Sequence, residues 1–132
     1  MWRVLRLRIS QDGYEVRIMR SNFRMENKNI TMVRGDTLSF NVEVTDGDGQ
    51  IIEVDSAYFT CKKISTDDSN VFRKALDAGI TQDEDGLTVR VAPEDTRNVN
   101  AGQYFYDMQI GVGEDIFTLL KGVLEIEQDV SY

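Results

Sequence analysis

Hydrophobic and polar residues alternate with a period of two through most of this chain, the pattern of strands with one buried and one wet face. The cleanest run sets Leu38, Phe40, Val42 and Val44 on one side and Thr37, Ser39, Asn41 and Glu43 on the other. A second run places Tyr104, Tyr106, Met108 and Ile110 opposite Phe105, Asp107 and Gln109. Aromatic and branched side chains suit a pleated, half-buried surface, so this stretch reads as a central strand. Shorter runs complete the series. Leu5, Leu7 and Ile9 alternate with Arg6 and Arg8, Asp12-Gly13 is a favoured hairpin turn, and Tyr14, Val16 and Ile18 return. Residues 20–29 are polar and read as a linker or crossing, so the hairpin forms an appendage on a main domain beginning near Ile30.

Within that domain Ile30 to Val33 predicts a short strand and Arg34-Gly35-Asp36 a turn. Asp46-Gly47-Asp48-Gly49 makes the next turn, and Ala57, Phe59 and Cys61 then alternate with Tyr58, Thr60 and Lys62. A polar loop over 65–70 leads to a short strand at 71–74, and Gly86 opens another with Leu87, Val89 and Val91 inward. Pro93 followed by Glu94 and Asp95 predicts one helical turn, since Pro suits the first helical position and acids its N-terminal end. After a hairpin loop at 111–115, the last strand runs over 116–126 in an ambiguous phase. Ile116, Thr118, Leu120, Leu124 and Ile126 share a face unless Gly122 bulges, which would turn Phe117 and Leu119 inward instead.

Asn100, Gly102, Tyr104 and Tyr106 lie two apart, in the spacing of the tyrosine corner of immunoglobulin domains. Tyr106 stands where those domains carry a cysteine, so the corner would be kept without a disulfide. About seven short strands punctuated by turns, with no convincing amphipathic helix, predict an all-β fold. The expected form is an immunoglobulin-like antiparallel β-sandwich over residues 30–132, preceded by a basic N-terminal β-hairpin and linker over 1–29.

Composition narrows the function classes. The 132 residues are enough for one domain with a single core. The lone Cys61 makes no internal disulfide, which suits synthesis in a reducing cytoplasm. No apolar run is long enough to span a bilayer, and arginines interrupt the first nine residues where a signal peptide would need an apolar stretch. The charge of −8 is unevenly placed: residues 1–34 hold eight basic and three acidic side chains, while 35–132 hold seven basic and twenty acidic ones. A basic segment ahead of an acidic body can pair with its own chain or with a neighbouring copy. Nucleic acid is disfavoured, because the acidic body repels phosphate and only Trp2 and Phe23 accompany the arginines as stacking aromatics.

Catalytic chemistry has little to work with. There is no His, the commonest general base and metal ligand, and Cys61 alternates with core residues. Asp46 and Asp48 could offer oxygens to calcium, but turn chemistry explains them and the spacing lacks a closing Glu. Asp83 and Asp85 could serve as paired carboxylates, yet a flexible acidic turn holds no fixed separation between them. Arg34-Gly35-Asp36 matches the adhesion tripeptide but abuts a core strand, where Gly and Asp serve the turn. No catalytic residue, cofactor site or metal site is expected.

Several of these segments recur together elsewhere. Arg34-Gly35-Asp36-Thr37 leading into an alternating strand, the Asp-Gly turn, Ala57-Tyr58-Phe59-Thr60-Cys61-Lys62-Lys63, and Asp95-Thr96 before Ala101-Gly102-Gln103-Tyr104-Phe105-Tyr106-Asp107 resemble small β-sandwich proteins of bacteriophages and prophages. The order and spacing are similar to the N-terminal domain of phage baseplate upper proteins, over roughly residues 30–128. The hairpin at 1–19 departs from that pattern. The resemblance implies a non-enzymatic virion component, in tail, baseplate or fibre, that docks copies of itself or other virion proteins into a symmetric assembly. A host-surface or carbohydrate-binding module remains the alternative, with Trp2, Tyr58, Tyr104 and Tyr106 as its aromatic platform, as does a head decoration or fibre protein. For docking, Arg3, Arg6, Arg8 and Arg17 are the candidate interface residues, facing acids on a neighbouring subunit.

Overall fold

A computed structural model of the chain describes residues 5–8, 15–21, 24–26, 29–63 and 70–129, with side chains from 29 onward. The strands are β1 (Leu5–Arg8), β2 (Glu15–Ser21), β3 (Arg24–Glu26), β4 (Asn29–Val33), β5 (Leu38–Thr45) and β6 (Ser56–Lys62). They continue as β7 (Phe72–Leu76), β8 (Gly79–Asp83), β9 (Gly86–Val91), β10 (Gly102–Val112) and β11 (Asp115–Glu127). One helical turn, α1 (Pro93–Thr96), lies between β9 and β10, with Pro93 at its start and Glu94 and Asp95 in its first turn.

The chain is all-β, as its alternation predicts. Hydrogen bonds link all eleven strands in one sheet, in the order β1-β2-β5-β9-β8-β7-β6-β10-β11-β4-β3. Eight of them, from β5 to β4, form a mixed sheet nearly closed into a barrel. An immunoglobulin-like pair of separate sheets is not confirmed by this pairing. The expectation of purely antiparallel pairing is corrected as well, because β4 runs parallel to β11 and β7 parallel to β8. The parallel β7–β8 step has a local cause: Asp77 adopts φ 65° between the two strands, and the N–H of Ala78 bonds back to Ala75. Single-sequence alternation missed β8, whose only buried side chain is Ile80.

Curvature brings distant strands together over the core. Phe40 on β5 meets Phe59 on β6 edge to face, with ring centroids 5.3 Å apart, and Phe59 also lies 5.6 Å from the ring of Tyr106. The inward positions form rows, such as Phe40–Val89–Ile80 and Phe59–Met108–Leu120, and every member is buried. Leu38, Phe40, Val42, Phe59, Leu87, Val89, Tyr104 and Tyr106 all lie in the single core cluster. In β11 the phase changes at a bulge, but not at Gly122: the register with β10 slips between Met108 and Gln109, so Leu119 and Leu120 are both buried. Before the slip Ile116 is exposed, and after it Leu124 and Ile126 point inward.

The barrel's seam lies between β4 and β5, which are joined by the turn at 34–37. The N-terminal segment covers both free edges there, β2 pairing with β5 and β3 with β4. Unpaired strand edges invite unwanted pairing, and covering them is a common remedy. Residues 20–29, expected as a linker, therefore include strand: Arg20 and Ser21 end β2, and Arg24–Glu26 form β3. The Asp12-Gly13 turn and the loop at 64–69 lie outside the described residues.

At one end of the barrel α1 and the 34–37 turn are tied together. The Gly35 N–H donates to Thr96 Oγ1 at 2.9 Å, and Thr96 is fully buried. Arg34 reaches Asp129 through Nε and Nη2, both at 2.9 Å. Gly35 has φ 81°, so the Arg-Gly-Asp tripeptide is a turn whose arginine is committed to the end of the chain. Lys74 Nζ pairs with Asp95 Oδ2 at 2.6 Å, and the same carboxylate oxygen accepts the Ala92 N–H that opens the helical turn.

Candidate interaction face

The expected interface arginines fall on the outermost strands. Arg6 and Arg8 lie on β1 and Arg17 on β2, while Arg3 is outside the described residues. Register sets Arg6 opposite Arg17, and Arg17 in turn opposite Glu43 of β5. Arg8 stands opposite Glu15. Three of the four residues are therefore brought into neighbouring positions, with one acid of the body in the same row. Leu5 and Ile18 occupy the row of buried Val42, and Leu7 and Val16 that of Val44. The strands thus continue the apolar and polar rows of β5 outward. β1 ends the sheet, with β2 as its only partner among the described strands.

A second region emerges on the outer side of β7, β6, β10 and β11. Cross-strand pairing there sets Arg73, Thr60, Asp107 and Lys121 in one row, and Lys62, Phe105 and Val123 in the next. Phe105 is 40% exposed, and an open hollow of about 280 Å³ lies between it, Lys62, Asp107 and Lys121. A more polar hollow adjoins it beside Arg73, Asn70 and Gln109. The guanidinium of Arg73 sits 4.1 Å from the centre of the Tyr58 ring, which restrains the arginine by cation–π attraction. Around the two hollows Lys62, Arg73 and Lys121 outnumber Asp107, and farther along β11 the same face carries Glu125 and Glu127. The sequence carries one signal of this region: Phe105 is an aromatic at a polar-phase position.

The proposed aromatic platform is not assembled. Tyr104 and Tyr106 are core residues while Tyr58 lies on the outer wall, and Trp2 is outside the described residues. The Tyr104 hydroxyl donates to the carbonyl of Asn100 at 2.6 Å. The hydroxyl bond to upstream backbone that defines a tyrosine corner is therefore present locally. Burial raises the pKa of Tyr106, and burial followed by the nearby Cys61 raises that of Tyr104. Cys61 is free and fully buried, and desolvation pushes its thiol up to about 12. A neutral thiol in the core acts as a small hydrophobe.

The acids considered for chemistry serve turns. Asp46 Oδ1 accepts the N–H groups of Asp48 and Gln50, at 2.9 and 3.1 Å. Asp83 Oδ1 accepts the Asp85 N–H at 2.8 Å on an exposed tip. Among the described residues no group of three or more His, Cys, Asp or Glu is placed to hold a metal ion. Among them, too, no helix is long and apolar enough to cross a membrane. Compared with known proteins, the chain matches no family model and no curated relative.

Proposed function

We propose that the protein is a non-enzymatic structural or adaptor module of a bacteriophage virion, in tail, baseplate or fibre, that docks copies of itself or a neighbouring virion protein. The observation that carries the docking is the outer strand β1, whose outer edge has no partner among the described strands and whose Arg6 and Arg8 alternate with Leu5 and Leu7. A strand edge supplies directional hydrogen bonds, and alternating charge selects register between subunits. The virion context rests on the motif resemblance. Its segments fall at defined points of the fold: the 34–37 turn, strand β6, and the α1-to-β10 corner. Two opposed walls, β5–β9 and β6–β10, meet through Phe40 and Phe59, so a flattened barrel of this kind is compatible with the sandwich that the resemblance implies. The alternative of a host-surface or carbohydrate-binding module keeps one supporting feature, the exposed Phe105 beside its hollow.

The test uses truncation and particles. Removal of residues 1–8 takes away β1 while leaving β2 to cover the edge of β5. A longer deletion through residue 20 would strip β2 and confuse folding with docking. The expected result is a folded chain that no longer enters particles purified from its bacterial host, where mass spectrometry detects the full-length protein. Undiminished incorporation of the truncated chain would remove β1 from the docking. Absence of the full-length chain from every purified particle would sink the virion reading itself.

A further inference from the structure

The basic patch around Phe105 has a counterpart on the same chain. Opposite the α1 end, the barrel closes with three connections at 46–55, 83–85 and 113–115, which together hold nine acidic residues and no basic one. They form one cohesive surface. Gln82 bonds both the N–H and the carbonyl of Val54, at 2.7 and 3.0 Å, and joins the first two connections. The Asp55 N–H donates to the Gly111 carbonyl at 2.8 Å, and Asp55 Oδ2 accepts the Gly113 N–H at 2.6 Å. Ile51, 38% exposed, and Ile116, 73% exposed, lie within or beside these connections. Together with Phe105, they are the only exposed large hydrophobic residues among those described.

We infer that the patch around the Phe105 hollow, on the β7–β6–β10–β11 wall of one copy, receives the acidic end of a second copy. Lys62, Arg73 and Lys121 would face the carboxylates, and Phe105 would cover the exposed isoleucines. Charge complementarity argues for this occupant. The surroundings of the Phe105 hollow, three cations to one acid, and the acidic end have opposite sign, and each carries its own exposed apolar centre. They cannot satisfy one another within a chain, because from Asp107 to Gly113 strand β10 and its turn span about 20 Å along the barrel. The contact is heterologous, one patch meeting a different patch, so successive copies add head to tail and close into a ring when the rotation permits. This inference rests on the assembly reading and names a contact that β1 does not make.

The decisive experiment is charge exchange in solution. One variant carries Lys62→Glu, Arg73→Glu and Lys121→Glu on the wall. The other carries Asp48→Lys, Glu84→Lys and Glu114→Lys at the end, keeping Asp46, Asp55 and Asp83, whose carboxylates hold turn backbone. Circular dichroism checks that both fold, and sedimentation measures mass against concentration and salt. The full-length chain is expected to self-associate and to weaken as salt screens the contact. Each variant alone should lose affinity by about tenfold or more, because like charges then face each other. An equimolar mixture should regain it, since each reversed surface meets an opposite one. Unchanged association of both variants would overturn the wall-to-end contact and leave docking through β1 standing. Loss in both without recovery on mixing would overturn the pairing of these two surfaces. A full-length chain that stays monomeric overturns self-docking as a whole, and with it the homo-oligomeric form of the assembly reading. Retention of that monomer on a sulfated polysaccharide, lost in the wall variant, would assign the wall to a carbohydrate.

Discussion

The contact between Phe40 and Phe59 reports directly on how far the sheet is curled. Their strands are four places apart in the order β5-β9-β8-β7-β6. In a flat sheet, four steps of about 4.8 Å would separate the strands by roughly 19 Å. The rings instead stand 5.3 Å apart with planes at 72°, and the residues are 1% and 0% exposed. Truncating either to Ala is expected to cost about 3–5 kcal/mol, a large share of the roughly 5–15 kcal/mol that holds a domain folded. Phe40→Leu and Phe59→Leu are gentler, at about 1–2 kcal/mol each, and leave the double variant measurable. An edge-to-face pair contributes about 0.5–1.5 kcal/mol beyond the area it buries. The double variant should therefore lose less than the sum of the singles by that amount, as read from urea denaturation followed by far-UV circular dichroism. Additivity within about 0.3 kcal/mol would show that the rings do not touch, and the nearly closed barrel would be refuted.

Three further outcomes follow from single sites. Gly86→Ala should destabilise by about 2–4 kcal/mol, because Gly86 has φ 106° and a Cβ there would run into the Val42 carbonyl oxygen; an unchanged denaturation midpoint would contradict the close β5–β9 approach. Tyr104→Phe should lose about 1 kcal/mol with the bond to Asn100. The figure stays at the low end because Asn100 is exposed and water can reach the freed carbonyl; equal stability of the two proteins would leave an ordinary core tyrosine. Stability should also fall at alkaline pH. Below the ordinary thiol value of 9.0 Cys61 is neutral folded or unfolded, but above it the unfolded chain ionises while the folded thiol waits until about 12. The contribution is thus complete below 9.0 and lost as pH rises towards about 12, at up to about 1.4 kcal/mol per pH unit. Tyr104 and Tyr106, also raised, act in the same direction. Cys61→Ala should flatten the decline in urea midpoint between about pH 8 and 10.5, and an identical slope would exclude the thiol as its source.

Local chemistry along the chain determined the strands and turns. Alternation at Leu38 to Val44 assigned the faces of β5 correctly, since a period of two admits only one burial pattern. Pro93 and the acids after it set α1, and the Asn100-to-Tyr104 spacing set the corner, because capping and short-range bonds are made within a few residues. The −8 charge and its division between a basic start and an acidic body were likewise legible without a structure. What tertiary structure decided was which strands became neighbours. Parallel pairing of β4 with β11, the N-terminal cover over both barrel edges, and the curl that joins Phe40 to Phe59 depend on contacts between residues far apart in sequence. The β11 phase depended on a register slip against Met108, which no pattern within β11 alone could locate. The basic patch emerged for the same reason: Lys62, Phe105 and Lys121 come from three strands, and only hydrogen-bonded register places their side chains in adjacent rows.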